Sequence, residues 1–167
     1  MNTAARVLVI DDHVFVREGI KSILIEPKFI CIGEAATKAE GFAQIAHHNP
    51  DLIIVDVNLP DGSGLEIVSW ARSLSASMGI VVLTLSEKDE FLLAAMQAGA
   101  SGYVLKSAPL SDLRAALESA LLAPNSFLAR GITQALGAKN IGAQLSNREL
   151  QVLQALSNGD SNSEIAA

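Results

Sequence analysis

Five short runs rich in valine, isoleucine and leucine recur along the first two thirds of the chain, and each is followed by a stretch with helical spacing. The runs are "RVLVID" (Arg6–Asp11), "FICIGEA" (Phe29–Ala35), "DLIIVDV" (Asp51–Val57), "GIVVLTL" (Gly79–Leu85) and "SGYVLK" (Ser101–Lys106). Their hydrophobicity is nearly continuous instead of alternating, as expected of parallel strands covered on both faces. The stretches near Val14–Ile25, Lys38–His47, Gly64–Leu74 and Asp89–Ala98 read as helices, with a fifth at Pro109–Leu122. That fifth one opens with proline at an early helical position and sets Leu110, Leu113, Leu117 and Leu121 on one stripe. Regular alternation with right-handed crossovers implies a doubly wound α/β sheet of five parallel strands.

The 167 residues suffice for one domain of ordinary size and a remnant. Residues 5–122 form the expected domain. From 123 to 144 periodicity fades while Gly, Ala and Asn accumulate, which reads as a linker. It returns over 145–167, "LSNRELQVLQALSNGDSNSEIAA". There Ser146 and Glu149 form a capping box, and Leu150, Leu153 and Leu156 share a face. Gly159 ends that helix and Ser163 starts another, incomplete at Ala167.

Charge divides along the same line. Residues 1–122 carry nine basic and fifteen acidic side chains, and residues 123–167 carry three of each. An acidic domain does not hold nucleic acid through its general field, so any such contact belongs to the C-terminal part. Cys31 has no second cysteine to pair with, and no apolar run approaches the ~20 residues of a membrane span. The N-terminus reaches two aspartates after a short apolar run, unlike a secretory signal. These features predict a cytoplasmic protein.

Polar residues gather where such a sheet places its ligands, outside the carboxyl ends of the strands. Asp11 and Asp12 end the first strand, Asp56 lies near the end of the third, Thr84 near the end of the fourth, and Lys106 ends the fifth. Three carboxylates within about 5 Å repel by roughly 3 kcal/mol per pair at an effective dielectric near 20. They must protonate, splay apart or hold a cation. An all-oxygen, highly charged site suits Mg²⁺, which keeps several waters and leaves room for phosphate. Lys106 adds a positive point charge and Thr84 a hydroxyl, the groups a transferring phosphoryl requires. Taken singly, each has a bland reading: Asp11 and Asp12 as caps of the first helix, Thr84 as a β-branched strand residue, Lys106 as a strand terminus.

The motifs "VIDDH", "DLIIVDVNLPDGSGLE", "VVLTLS", "AGASGYVLK" and "LSNRELQVLQALSNGDSNSEIA" occur in one order. Together they make the chain resemble a bacterial two-component response regulator of the NarL/FixJ subfamily. Residues 5–122 resemble its flavodoxin-like receiver domain, with strand order 2-1-3-4-5, and residues 145–167 resemble the first part of its LuxR-type helix-turn-helix. The resemblance implies that Asp56 accepts a phosphoryl group from the phosphohistidine of a sensor histidine kinase. It implies Mg²⁺ held by Asp12, Asp56 and the backbone carbonyl of Asn58, with Asp11 acting mainly through water. Lys106 then pairs with the incoming phosphoryl, Thr84 moves to the aspartyl phosphate, and Tyr103 rotates inward behind it. Asn58 and Ser86 tune the phosphate's lifetime. Phosphorylation would release or dimerise a DNA-binding output, regulating transcription, and the chain would be a phosphoacceptor and not an enzyme. The recognition helix is expected after Ala167, so these residues alone are expected not to read DNA.

Ser107 stands where many receivers have a cis-proline, and Pro109 comes two residues later, so a trans Lys106–Ser107 bond is expected. His13, His47 and His48 lack a Ser or Cys partner pattern and are expected to carry no chemistry. Cys31 reads as a buried small hydrophobe and Trp70 as a packing residue. The alternative to a phosphorylated receiver is a phosphorylation-independent module acting through partner contacts or dimerisation. A flavin protein would need a phosphate-cradling loop after the first strand, and a phosphatase an acid–base carboxylate where Asn58 stands. The chain has neither.

Overall fold

The computed structural model describes residues 3–129. Its main sheet takes β1 (Ala5–Ile10), β2 (Phe29–Ala35), β3 (Leu52–Asp56), β6 (Gly79–Thr84) and β7 (Gly102–Leu105), one to each hydrophobic run. A two-stranded antiparallel turn, β4 (Asn58–Leu59) with β5 (Gly62–Ser63), follows β3. The helices are α1 (Val14–Lys21), α2 (Lys38–His48), α3 (Gly64–Leu74), α4 (Asp89–Ala98) and α5 (Leu110–Leu122). The sheet order is β2-β1-β3-β6-β7, the expected 2-1-3-4-5 order, extended at its edge by β8 (Leu128–Ala129). β8 runs parallel to β7, pairing Leu128 with Gly102 and Ala129 with Tyr103. The segment expected as linker, 123–144, therefore contains a short strand near its start; residues 130–144 and the helices expected over 145–167 lie outside the described residues.

Alternation of side chains builds two cores from the same strands. Leu8, Ile10, Ile53, Val55, Ile80 and Val82 point to one face, where Ile67 and Val68 of α3 and Leu92 and Met96 of α4 cover them. Val7, Val9, Leu52, Ile54, Val81 and Leu83 point to the other, under Ile20 of α1 and Leu113 and Leu117 of α5. All of β3 is buried, which explains why its sequence shows no polar alternation. Trp70 packs edge-on against Phe42, with ring centroids 5.0 Å apart.

Two expectations need correction. Helix α1 stops at Lys21 and not Ile25. The amides of Ile23 and Leu24 turn back to Ile20 and Lys21, and Ser22 Oγ donates to the Gly19 carbonyl, so the chain closes in tight turns that leave Ile25 exposed. Cys31 is half-buried, on a strand whose middle faces are only partly covered. The one cis peptide among the described residues is Glu26–Pro27, so Lys106–Ser107 is trans, as expected.

Candidate functional site

The strand order reverses between β1 and β3, opening the crevice in which α/β sheets bind ligands. The chain leaving β1 makes a tight turn in which Asp11 Oδ1 accepts from the His13 amide at 2.8 Å. The Arg17 guanidinium donates to the Asp11 carbonyl at 2.6 Å and fixes this turn against α1. Asp56 ends β3, level with Leu83 of β6. Lys106 follows β7 and its amide donates to the Thr84 carbonyl at 2.7 Å, tying it to the end of β6.

These turns bring three groups into contact. Lys106 Nζ lies 2.9 Å from Asp56 Oδ2 and 2.8 Å from Asp11 Oδ2, with all three side chains at most 6% exposed. Asp56 Oδ1 accepts from the Asn58 amide at 3.2 Å. Burial pushes the Asp56 carboxyl above its usual range and the Asp11 charge adds to this, while Lys106 and the Asn58 amide partly oppose them. Burial pulls the Lys106 ammonium down, but its two carboxylate partners outweigh this and hold it above its usual range. Asp12 stands at the rim, partly exposed.

Thr84 is fully buried and its Oγ1 accepts from the Ser86 amide at 3.1 Å. Tyr103 is also fully buried, and its hydroxyl donates to the Ser86 carbonyl at 3.2 Å. Burial pushes the Tyr103 phenol up to about 12, partly offset by the Thr84 hydroxyl. The ring expected to rotate inward already lies inward.

Four features were not foreseen. His13 was expected to have no chemistry, yet its Nδ1 lies 2.9 Å from Asp11 Oδ1, 3.2 Å from Asp12 Oδ1 and 3.9 Å from Asp56 Oδ2. The turn after β1 folds it back over the carboxylates, a placement that partner spacing does not reveal. Gly64 opens α3 so close to β3 that a side-chain carbon there would collide with the Asp56 carbonyl. Asp61, in the loop after β3, accepts from the Lys38 and Ala39 amides at 2.6 and 2.9 Å, clamping the loop to the start of α2. Arg72, at the opposite end of the sheet, donates to the carbonyls of Ser75, Ala76, Met78, Gly99 and Pro124 and to Ser101 Oγ.

One donor atom each from Asp11, Asp12, His13 and Asp56 falls within 4.8 Å of the others. Asp11 Oδ2 and Asp12 Oδ1 are buried and accept no hydrogen bond; the Lys106 ammonium faces the former without hydrogen-bonding alignment. Buried carboxylate oxygens left in this condition are what a hard divalent cation satisfies, so the residues fit Mg²⁺.

The family model for the response regulator receiver domain matches residues 7–118. The chain belongs to this family. A second model, for bacterial regulatory proteins of the luxR family, matches residues 143–167, which lie outside the described residues. Over 96% of its length the chain is 35% identical to the DNA-binding transcriptional activator DevR/DosR of Mycobacterium tuberculosis, covering 78% of that protein. It is 34% identical to the nitrate/nitrite response regulator protein NarL of Escherichia coli K12, over 97% of this chain and 79% of that one. Its fold resembles the crystal structure of a LuxR-family two-component response regulator from Aurantimonas, with TM-score 0.74 and 31% identity over 83% of this chain and 99% of that one. This receiver with a luxR-type segment is thus a response regulator of the NarL type, and its function is transcription regulation. Receivers are regulators and not conventional enzymes, and they bind Mg²⁺ at an acidic cluster of this kind. No helix among the described residues is long and apolar enough to cross a membrane.

Proposed function

We propose that Asp56 is the phosphoacceptor of a receiver spanning residues 5–122, which switches a DNA-binding output beginning near residue 145. The observation that carries this reading is the Lys106 ammonium held against both Asp56 and Asp11 at under 3 Å in a buried crevice. Burial makes the Asp56 carboxylate more basic than a solvated one, and hence a better nucleophile. Its oxygen forms the bond to phosphorus as the bond to the donor's histidine nitrogen breaks. Lys106 then pairs with an oxygen of the phosphoryl group now carried by Asp56. Mg²⁺ supplies charge neutralisation on the phosphoryl oxygens when bound. Asp12, Asp56 and the Asn58 carbonyl would hold it in this reading. Asp11, already engaged by the His13 amide and Lys106, acts through water.

The phosphodonor is a sensor histidine kinase in the cytoplasm. Its landing place is the first turn of α1, where Val14 and Phe15 follow the acidic turn and are 57% and 91% exposed. Phosphate on Asp56 draws on Thr84 and, through Ser86, on Tyr103, changing the surface of α4, β7 and α5 that a second copy or the output contacts.

Labelling with a small acyl-phosphate donor and Mg²⁺, followed by mass spectrometry, tests the assignment. One phosphoryl group should map to Asp56 and vanish in Asp56→Asn. Equal labelling of both proteins would remove Asp56 from the mechanism.

A further inference from the structure

His13 lies on the rim of the carboxylate cluster, half exposed, with one ring nitrogen directed into it. For bonds near 2.1 Å, cis ligands of an octahedral ion lie about 3.0 Å apart and trans ligands about 4.2 Å apart. Nδ1 stands 3.2 Å from the buried, otherwise unsatisfied Asp12 Oδ1, and 3.9 Å from Asp56 Oδ2. The first distance is a coordination edge; the second falls between an edge and a diagonal. Nδ1 is also 3.3 Å from Lys106 Nζ. Asp11 Oδ1 is closer, at 2.9 Å, and as a carboxylate oxygen asks Nδ1 to donate, whereas the ammonium asks it for a lone pair, so the two contacts compete for this atom. A metal ion at the carboxylates would take that lone pair.

We propose that His13 Nδ1 is a ligand of the divalent cation, so that the centre is a mixed nitrogen–oxygen site that also accepts transition-metal ions. The inference rests on the cation site proposed above and adds to it a determinant of metal preference. Imidazole adds little to the binding of Mg²⁺, a hard ion suited to oxygen, and much to that of Ni²⁺ or Cu²⁺. His13 therefore raises the affinity for Ni²⁺ relative to Mg²⁺ above that of an all-carboxylate site.

Calorimetric titration of the tag-free full chain with MgCl₂ and with NiCl₂ tests this, comparing His13 with His13→Ala. Both proteins carry His47→Ala and His48→Ala, because those neighbouring imidazoles, 4.7 Å apart, could bind Ni²⁺ on their own. The Ni²⁺/Mg²⁺ affinity ratio should fall by at least about tenfold on loss of His13, the lower end of what removing even a ligand's supporting group costs. Pulsed EPR of the Cu²⁺ complex should show imidazole nitrogen couplings that His13→Ala lacks. An unchanged ratio, or couplings that persist in the variant, overturns the role of His13 while leaving the Mg²⁺ site standing. If the protein with His13 binds no Mg²⁺, or if Asp12→Asn retains full Ni²⁺ affinity, the cation site itself is lost and this inference with it.

Discussion

Replacing Lys106 by methionine keeps most of the side-chain volume and removes the charge. The ammonium faces Asp56 at 2.9 Å and Asp11 at 2.8 Å, each worth a gross attraction of about 6 kcal/mol at an effective dielectric near 20. Desolvation cancels much of this, and removing one partner of a buried ionic group costs about 3–5 kcal/mol net, because the other charges stay buried without compensation. At about 4 °C per kcal/mol for a domain of this size, the melting temperature should fall by roughly 12–20 °C at neutral pH. The sign of the pH dependence separates charge from packing. Asp56 has a raised pKa, so the folded protein takes up its proton before the unfolded chain does; that acid-side relief fades as pH rises through the raised value. The contribution of Lys106, whose pKa is raised from 10.5, is present below that value and lost above it. The deficit of Lys106→Met should therefore be largest between the carboxylate range and the lysine range, and shrink toward pH 4. Saturating Mg²⁺ at about 100 times its Kd should restore roughly 2.7 kcal/mol relative to the cation-free variant. Thermal melts followed by circular dichroism at pH 4 and 7.5, with and without MgCl₂, provide the measurement. A deficit of equal size at both pH values would show that Lys106 acts by packing alone, and the electrostatic account of the site would be wrong.

Gly64→Ala should cost more than about 2 kcal/mol in chemical denaturation, because the added carbon meets backbone on β3 and cannot be relieved by a rotamer change. An effect below 0.5 kcal/mol, which is roughly what a surface substitution gives, would contradict the close approach. Tyr103 is the chain's single tyrosine, so its absorbance reports one site; ionisation should begin only well above pH 10 and centre near 12 unless the protein unfolds first. A midpoint at 10 in the folded protein would place the ring in solvent. Arg72→Lys should destabilise by at least about 2 kcal/mol, since a lysine cannot serve carbonyls in both the segment after α3 and the segment after α5. A wild-type melting temperature would count against this hub. Phe15→Ser should slow phosphotransfer from the kinase several-fold while leaving labelling by a small acyl phosphate intact; equal loss in both assays would mean that Phe15 supports the site and not docking.

Much of this architecture was legible because buried parallel strands carry their own signature. β2 spans Phe29–Ala35 as expected, and β1, β3, β6 and β7 differ from expectation by a residue or so at their ends. The convergence of Asp11, Asp12, Asp56, Thr84 and Lys106 was legible too, since strand ends in a doubly wound sheet share one rim. What escaped depends on partners distant in sequence and without periodicity. β8 is two residues long and exists because Leu128 and Ala129 meet the open edge of β7. Asp61 looks like a turn residue until its carboxylate is seen capping α2. Arg72 drew no expectation, because its acceptors span residues 75 to 124 and share no spacing with it. Gly64 did leave a trace, as the second glycine of "DGSG" before a helix, but a glycine needed for close approach and one needed for a turn look the same in sequence.

The hydrogen bonds around Ser86 suggest why a charge on Asp56 would be felt at a distance. The Ser86 amide donates to Thr84 Oγ1, and the Ser86 carbonyl accepts from Tyr103, so one residue is held from both ends by the two side chains of the proposed switch. Thr84 has a single hydroxyl hydrogen, and swinging it toward a phosphoryl oxygen moves the acceptor away from Ser86. The Ser86 amide would then have to find water or move, and because Tyr103 holds the same residue, the shift would be transmitted to β7. Tyr103 has no room to answer gradually: it is fully buried, packed in the core beneath α4 and paired through its backbone with Ala129 of β8. A close-packed ring responds by changing between discrete positions, and in the proposed switch this would convert a displacement of one hydroxyl into a rearrangement of the α4 and β7–β8 surface.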